Sequence, residues 1–162
     1  MGEKEIVTYG EQVLRARAEE IEEIDDEIKE LIQRMYRIMA ENDGVGLAGP
    51  QVGVSKRIFT YDVGDGPHAL INPEILNPKG EETAAEGCLS IPGLHGEVTR
   101  ALEVTATGIN EKGEKVKIRA EGLLARVFQH ETDHLDGKMF IDRADPSTLE
   151  TVPLDEKQDV DL

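Results

Sequence analysis

Between Asp25 and Glu41 apolar residues recur at helical spacing, and Ile28, Leu31, Ile32, Met35 and Met39 fall on one stripe. Asp25, Asp26 and Glu27 stand where the positive end of a helix dipole favours acids, and Asn42-Asp43-Gly44 stops the helix. The period then shortens. Arg57 to Val63 is rich in β-formers and runs into the turn Gly64-Asp65-Gly66-Pro67. His68 to Leu76 reads as a second strand, closed by Asn77-Pro78-Lys79-Gly80. Apolar and polar residues alternate from Leu102 to Ala106 and again at Val116, Ile118 and Ala120, with Asn110-Glu111-Lys112-Gly113 placed to join the two as a hairpin. A second helix is predicted from Glu121 to Gly137, with Leu124, Val127, Phe128 and Leu135 on its buried face. The expected class is α+β: antiparallel strands packed around a buried second helix, with an N-terminal helix. After Asp142 the pattern fades and Asp145-Pro146 breaks it. The division expected is a domain over residues 1–142 and a loosely held acidic tail over 143–162.

Composition narrows the function classes. The chain has 162 residues, enough for one domain with a core that needs no disulfide. Its formal charge is −16, and no run of Lys and Arg offsets it, so no direct affinity for nucleic acid or anionic lipid is expected. Met1 to Gly10 has no basic region followed by an apolar run. No apolar stretch approaches the ~20 residues that span a bilayer. A single cysteine, Cys88, excludes an internal disulfide and suits a reducing compartment. The expected location is the cytoplasm.

The chemistry concentrates in Gln129-His130-Glu131-Thr132-Asp133-His134, inside the second helix. Four residues at ~100° each bring His134 to within ~40° of His130 around the axis, one turn on. Two imidazoles so placed chelate one metal ion, and Glu131 lies on the same side without having to be a ligand. That is the arrangement of a hydrolase in which a metal lowers the pKa of water and a carboxylate takes the proton. The competing reading is a helix with two satisfied histidines and a surface glutamate; two polar rings on a buried-facing side need partners, which disfavours it.

A third protein ligand is needed. The peptidase pattern that continues to a third His meets Phe140 instead. A downstream glutamate, Glu150, lies in the acidic, proline-broken tail. Cys88, in Glu86-Gly87-Cys88-Leu89-Ser90-Ile91-Pro92, is the remaining candidate, in what reads as an exposed turn followed by a short extended segment. A lone cysteine is more often packed core than ligand, yet thiolate with two imidazoles suits Zn²⁺ or Fe²⁺.

Three segments carry a resemblance. Gly44-Val45-Gly46-Leu47-Ala48-Gly49-Pro50-Gln51, Glu86-Gly87-Cys88-Leu89-Ser90 and Gln129-His130-Glu131-Thr132-Asp133-His134-Leu135-Asp136-Gly137 resemble, in order and separation, those of peptide deformylases. The resemblance implies removal of the formyl group from formyl-methionyl nascent peptides, an N-terminal processing step of protein biosynthesis. It implies that Cys88, His130 and His134 hold one divalent metal, Fe²⁺ natively, with Zn²⁺, Ni²⁺ or Co²⁺ able to substitute. Glu131 is then the acid/base, Gln51 and the Leu89 N–H face the developing oxyanion, and Val45, Gly46 and Val127 contact substrate. It also implies that Glu86 and Arg100 pair beside the cysteine. Transient ribosome association is a further expectation, although some relatives dock through a basic terminal helix and this tail is acidic. The chain departs from the family at Gly49, usually Ala, expected to loosen the loop presenting Gln51, and at Thr99, commonly Pro. Two other readings stay open here: a zinc peptidase with another third ligand, and a non-catalytic metal- or peptide-binding relative.

Overall fold

The computed structural model describes residues 5–152 and 162. Helix α1 spans Asp26–Glu41, one residue inside the predicted start, because Asp25 is its cap and accepts from the Ile28 N–H at 3.0 Å. Seven strands follow before the second helix or lead into it: β1 (Gly46–Ala48), β2 (Ile58–Tyr61), β3 (His68–Lys79), β4 (Glu82–Cys88), β5 (Ile91–Arg100), β6 (Glu103–Asn110) and β7 (Lys115–Glu121). Helix α2 runs Gly122–Leu135, and a short β8 covers Glu150–Thr151.

Strands β1-β2-β3-β6-β7 form one antiparallel sheet in that order, and β4-β5-β8 form a second. The first sheet is the middle layer of the molecule. Its period-2 alternation separates two apolar sets. Ile58, Ala69 and Ile71 pack with Ile32, Met35, Ile38 and Met39 of α1. Phe59, Tyr61, Leu70, Val104 and Ala106 pack on the other face with Ala125, Val127, Phe128 and Leu135 of α2. A chemically active helix is thus clamped on a rigid sheet, and Phe128 sits against both Phe59 and Tyr61, at centroid distances of 5.7 and 5.0 Å. Among the described residues, no helix is long and apolar enough to cross a membrane.

The expected hairpin at 110–113 joins β6 and β7, with Val104 opposite Ala120 and Ala106 opposite Ile118. Two local expectations are corrected. The turn placed at Asn77-Pro78-Lys79-Gly80 is strand as far as Lys79. Asn72 and Asn77 take positive φ of 52° there, and the register with β6 shifts beside each, so two bulges absorb what reads as turn chemistry. The Cys88 segment is not an exposed turn. It is the tight corner between β4 and β5, and Gly87, Cys88 and Ser90 are all buried. Of the tail, residues 143–152 are described: Asp145 caps a short 3-10 turn, and β8 pairs with Leu94 and His95 of β5. Residues 153–161, on which the expectation of a loose tail also falls, lie outside the described residues.

Candidate metal centre

Two elements meet to make the site. Helix α2 presents His130, Glu131 and His134 inward, and the β4–β5 corner brings Cys88 up to them. All four are at most 2% exposed. One ligand atom from each of Cys88, His130 and His134 lies within 4.8 Å of the others, and among the described residues these three alone form such a group. The Cys88 Sγ is 3.3 Å from His134 Nε2. Neither Glu150 nor His68 nor His95 belongs to it.

The donor set was tested for a metal through its unmet polar atoms. His130 Nε2, His134 Nδ1 and both oxygens of Glu131 are buried with no hydrogen-bond partner. Four orphaned polar atoms on adjacent turns of one helix would be costly in a finished core. Burial holds His134 well below its ordinary value, leaving the neutral ring a metal ligand requires. Burial opposes charge on His130 as well, but Glu131 and Cys88 beside it draw positive charge onto the ring and raise it. A cation held among thiolate, two imidazoles and a nearby carboxylate answers His130 Nε2 and the Glu131 oxygens, while His134, whose Nε2 faces Cys88, keeps Nδ1 outside it; the donor set fits a divalent metal.

Glu86 organises the ligands. Its carboxylate is fully buried and takes four charge-assisted contacts: Arg100 Nε at 2.7 Å, Arg100 Nη2 at 3.0 Å, Arg126 Nη1 at 2.5 Å and His130 Nδ1 at 2.9 Å. Burial pushes this carboxyl up, but hydrogen bonds from His130 and Arg100 outweigh it and hold it well below the usual carboxylate range. An acceptor fixed at Nδ1 assigns the proton there and turns Nε2 toward the centre. The Glu86–Arg100 pair forms as the resemblance implied. Arg126 does not appear in the sequence reading, although it lies one turn before His130. It also donates to the carbonyls of Val98 (3.0 Å) and Glu82 (2.7 Å), tying α2 to both strands of the cysteine hairpin. Asp133 extends the chain outward, bridging Arg100 at 3.0 Å and Arg143 at 2.5 Å.

The first glycine-rich segment closes the other side. Gln51 is buried on a 3-10 turn. The Ala48 N–H donates to its Oε1 at 2.9 Å, which orients Nε2 toward Ser90 Oγ (3.1 Å) and Cys88 Sγ (3.5 Å). Gly46 allows close approach: a Cβ there would stand 2.6 Å from Glu131 Oε2. Gly49 does not act as expected. The carbonyls of Lys56 and Val54 approach to 2.8 and 2.9 Å of where its Cβ would be, and Val54 N–H donates to the Gly49 carbonyl, so its lack of a side chain lets residues 54–56 pack in rather than loosening the Gln51 loop. Among the described residues strand β1 pairs only with β2, leaving its other edge at the border of the sheet. Val45 is half-buried, and its carbonyl is taken by the Asp62 N–H. Val127 is fully buried in the cluster shared by α2 and the sheet. Leu89 is half-buried; its N–H donates to the Leu162 carbonyl at 3.3 Å, while the Leu162 N–H donates to Gly87 at 3.2 Å.

Comparison with known proteins agrees with this geometry. The family model described as polypeptide deformylase matches residues 3–150. The peptide deformylase of Carboxydothermus hydrogenoformans is 52% identical over 140 residues, covering 86% of this chain and 92% of that protein. That of Clostridium botulinum is 51% identical over 143 residues, covering 88% and 97%. Among solved structures, the peptide deformylase of Thermotoga maritima superposes with a TM-score of 0.84 at 48% identity, covering 87% of this chain and 97% of that one. The Synechococcus elongatus enzyme in complex with actinonin gives 0.84 at 42% identity, covering 86% and 78%.

Proposed function

The chain belongs to the polypeptide deformylase family, and from that premise we propose that it hydrolyses the formyl group from formyl-methionyl nascent peptides, releasing formate and a free amine. The observation that carries this reading is the buried Cys88–His130–His134 group beside an unpartnered Glu131 carboxylate. Cys88, His130 and His134 hold the metal, assigned as Fe²⁺ with Zn²⁺, Ni²⁺ or Co²⁺ able to replace it. When bound, a divalent ion supplies Lewis acidity that lowers the pKa of water at the site.

The protein's own groups do the rest. Glu131 accepts the proton of the attacking water on a carboxylate oxygen and returns it to the departing amine nitrogen. Burial raises this carboxyl to about 7, which suits a group that must both take and give a proton near neutrality. The Gln51 Nε2, oriented by the Ala48 N–H on its Oε1, and the Leu89 N–H donate to the formyl oxygen as charge develops there. Glu86 keeps His130 in one tautomer. The free edge of β1 at Gly46, with Val45 just before it, accepts the peptide in strand fashion, and apolar residues around Val127 receive the methionine side chain. The protein works in the cytoplasm, meeting nascent chains in transient encounters at the ribosome.

Formate release from a formyl-Met peptide is the test, with protein prepared anaerobically with Fe²⁺ or Ni²⁺, a chelator control and an acetyl-Met peptide alongside. Metal-dependent release from the formyl peptide alone is expected. A Glu131→Gln variant holding one metal per chain should release none. Robust turnover by that variant would sink the role of Glu131, and no turnover by a fully metallated parent would favour a non-catalytic relative. Retention of metal by Cys88→Ser would favour a peptidase with another third ligand.

A further inference from the structure

Leu162 is 1% exposed. Its N–H on the Gly87 carbonyl and its carbonyl on the Leu89 N–H make the two-bond pattern of a strand bridged in parallel across Cys88. Its side chain belongs to the apolar cluster that holds Ala48, Val127 and Phe128, with Val45 and Leu124 packed against it. The sequence before it, Asp155-Glu156-Lys157-Gln158-Asp159-Val160-Asp161, is mostly polar, so no long apolar run accounts for its burial.

These contacts fall on groups the proposed reaction needs. The Leu89 N–H would have to face the formyl oxygen, yet here it is committed to Leu162. A single N–H does not serve two acceptors at full strength. Leucine and methionine are also near-equal in volume and apolar character, an exchange that cores accept readily. A pocket that holds one therefore holds the other.

We propose that Leu162 is an intramolecular competitor for the peptide cleft, and that a formyl-methionyl peptide binds by displacing it. The inference rests on the reading above that this cleft is the peptide site. A residue tethered by a short chain has an effective concentration in the millimolar range, so it raises the apparent dissociation constant of an incoming peptide by the inverse of the open fraction. Roughly a 3- to 10-fold effect follows where the closed form holds about two thirds to nine tenths of the molecules. The chemistry step itself, once substrate is seated, is untouched.

The experiment compares the Ni²⁺-loaded full chain with Leu162→Asp and Leu162→Met. KM and kcat for a formyl-Met peptide are measured. So is the equilibrium binding of a fluorescein-labelled formyl-Met tripeptide in a Glu131→Gln background, where turnover cannot confuse binding. Leu162→Asp should lower both KM and Kd 3- to 10-fold with kcat within about 2-fold, and Leu162→Met should match the parent. A free Val-Asp-Leu peptide should inhibit the Leu162→Asp protein competitively. Unchanged or raised KM and Kd in Leu162→Asp overturn the proposal, as does a loss of kcat and thermal stability with no gain in binding, which would mark Leu162 as a structural plug. If neither form releases formate, the deformylase reading is what fails; displacement is then judged on the labelled peptide alone, where equal Kd values for the two forms overturn it.

Discussion

Gly46→Ala isolates the placement of Glu131 from everything else in the site. Gly46 has an ordinary negative-φ strand conformation, so alanine meets no backbone strain. The added Cβ would stand 2.6 Å from Glu131 Oε2 and 3.0 Å from its Cδ and Cγ, inside ordinary contact at 3.4 Å. The oxygen must retreat by about 0.8 Å, and as the far end of a side chain it can do so without unfolding anything. A misplacement on the order of 1 Å costs a catalytic group about 10²-fold, or roughly 2.7 kcal/mol of transition-state stabilisation. We therefore expect kcat to fall about 30- to 100-fold, with metal content at one per chain and KM little changed, because the Gly46 N–H and carbonyl survive. The assay is formate release under full metallation, with metal analysis and thermal midpoint on the same samples. In a Glu131→Gln background the same substitution should cost almost nothing, since the group it displaces is already lost. A kcat within 3-fold of the parent, or a full-sized loss in the Glu131→Gln background, would refute the argument that this glycine exists to seat that carboxylate.

Three other outcomes are expected. Arg126→Met should cost about 2–3 kcal/mol of stability and loosen metal roughly 10-fold, because it strips a charge-assisted donor from Glu86 while Arg100 remains; unchanged urea midpoint and metal affinity would contradict it. In chelator-stripped protein two groups pull stability in opposite directions as pH rises from 4.5 to 7: His134, held well below its ordinary value by burial, adds stability, and Glu131 removes it. Burial raises the Glu131 carboxyl from 4.5 to about 7, so the folded state keeps a proton the unfolded chain has released. That contribution is complete below about pH 4.5 and gone above 7, on the order of 3 kcal/mol at most. Glu86, held below its ordinary value, has the opposite sign, and its window lies under pH 4.5. Relative to the parent, thermal melts of Glu131→Gln should fall less or rise more with pH across this range, and an equal slope in both proteins would dismiss the assignment. An Fe²⁺ form should lose activity in air as the metal or Cys88 is oxidised, whereas an Ni²⁺ form should persist; equal decay of the two would point to another cause.

What could be read in the sequence follows from which interactions are local. The His130–His134 spacing needs only helical periodicity, and the α1 stripe needs only the same rule, so both were legible. Strands β4 and β5 were not. The buried end of β4 is Glu86-Gly87-Cys88, a charge, a glycine and a thiol, which has none of the apolar alternation that marks a strand. Glu86 can be buried only because Arg100 and Arg126, 14 and 40 residues away, converge on it. Nothing within a local window announces that. Leu162 was hidden for the same reason, since its partners are Gly87 and Leu89.

The same convergence explains why the centre can be precise. Its ligands come from two elements 46 residues apart, and a helix and a hairpin corner packed by apolar contact alone would slide by fractions of an ångström. Glu86 removes that freedom: it sits two residues before Cys88 on the hairpin and accepts from His130 on the helix, so one carboxylate fixes the distance between thiolate and imidazole. Arg126 repeats the tie one turn earlier, from the helix to the Val98 and Glu82 carbonyls. A network of buried charges is a poor investment in stability, since its desolvation offsets most of its attraction. Here its return is alignment. Glu86→Leu should therefore cost both stability and metal binding, because it leaves Arg100, Arg126 and His130 Nδ1 buried without the acceptor they share, and an unchanged thermal midpoint with unchanged metal affinity would contradict this.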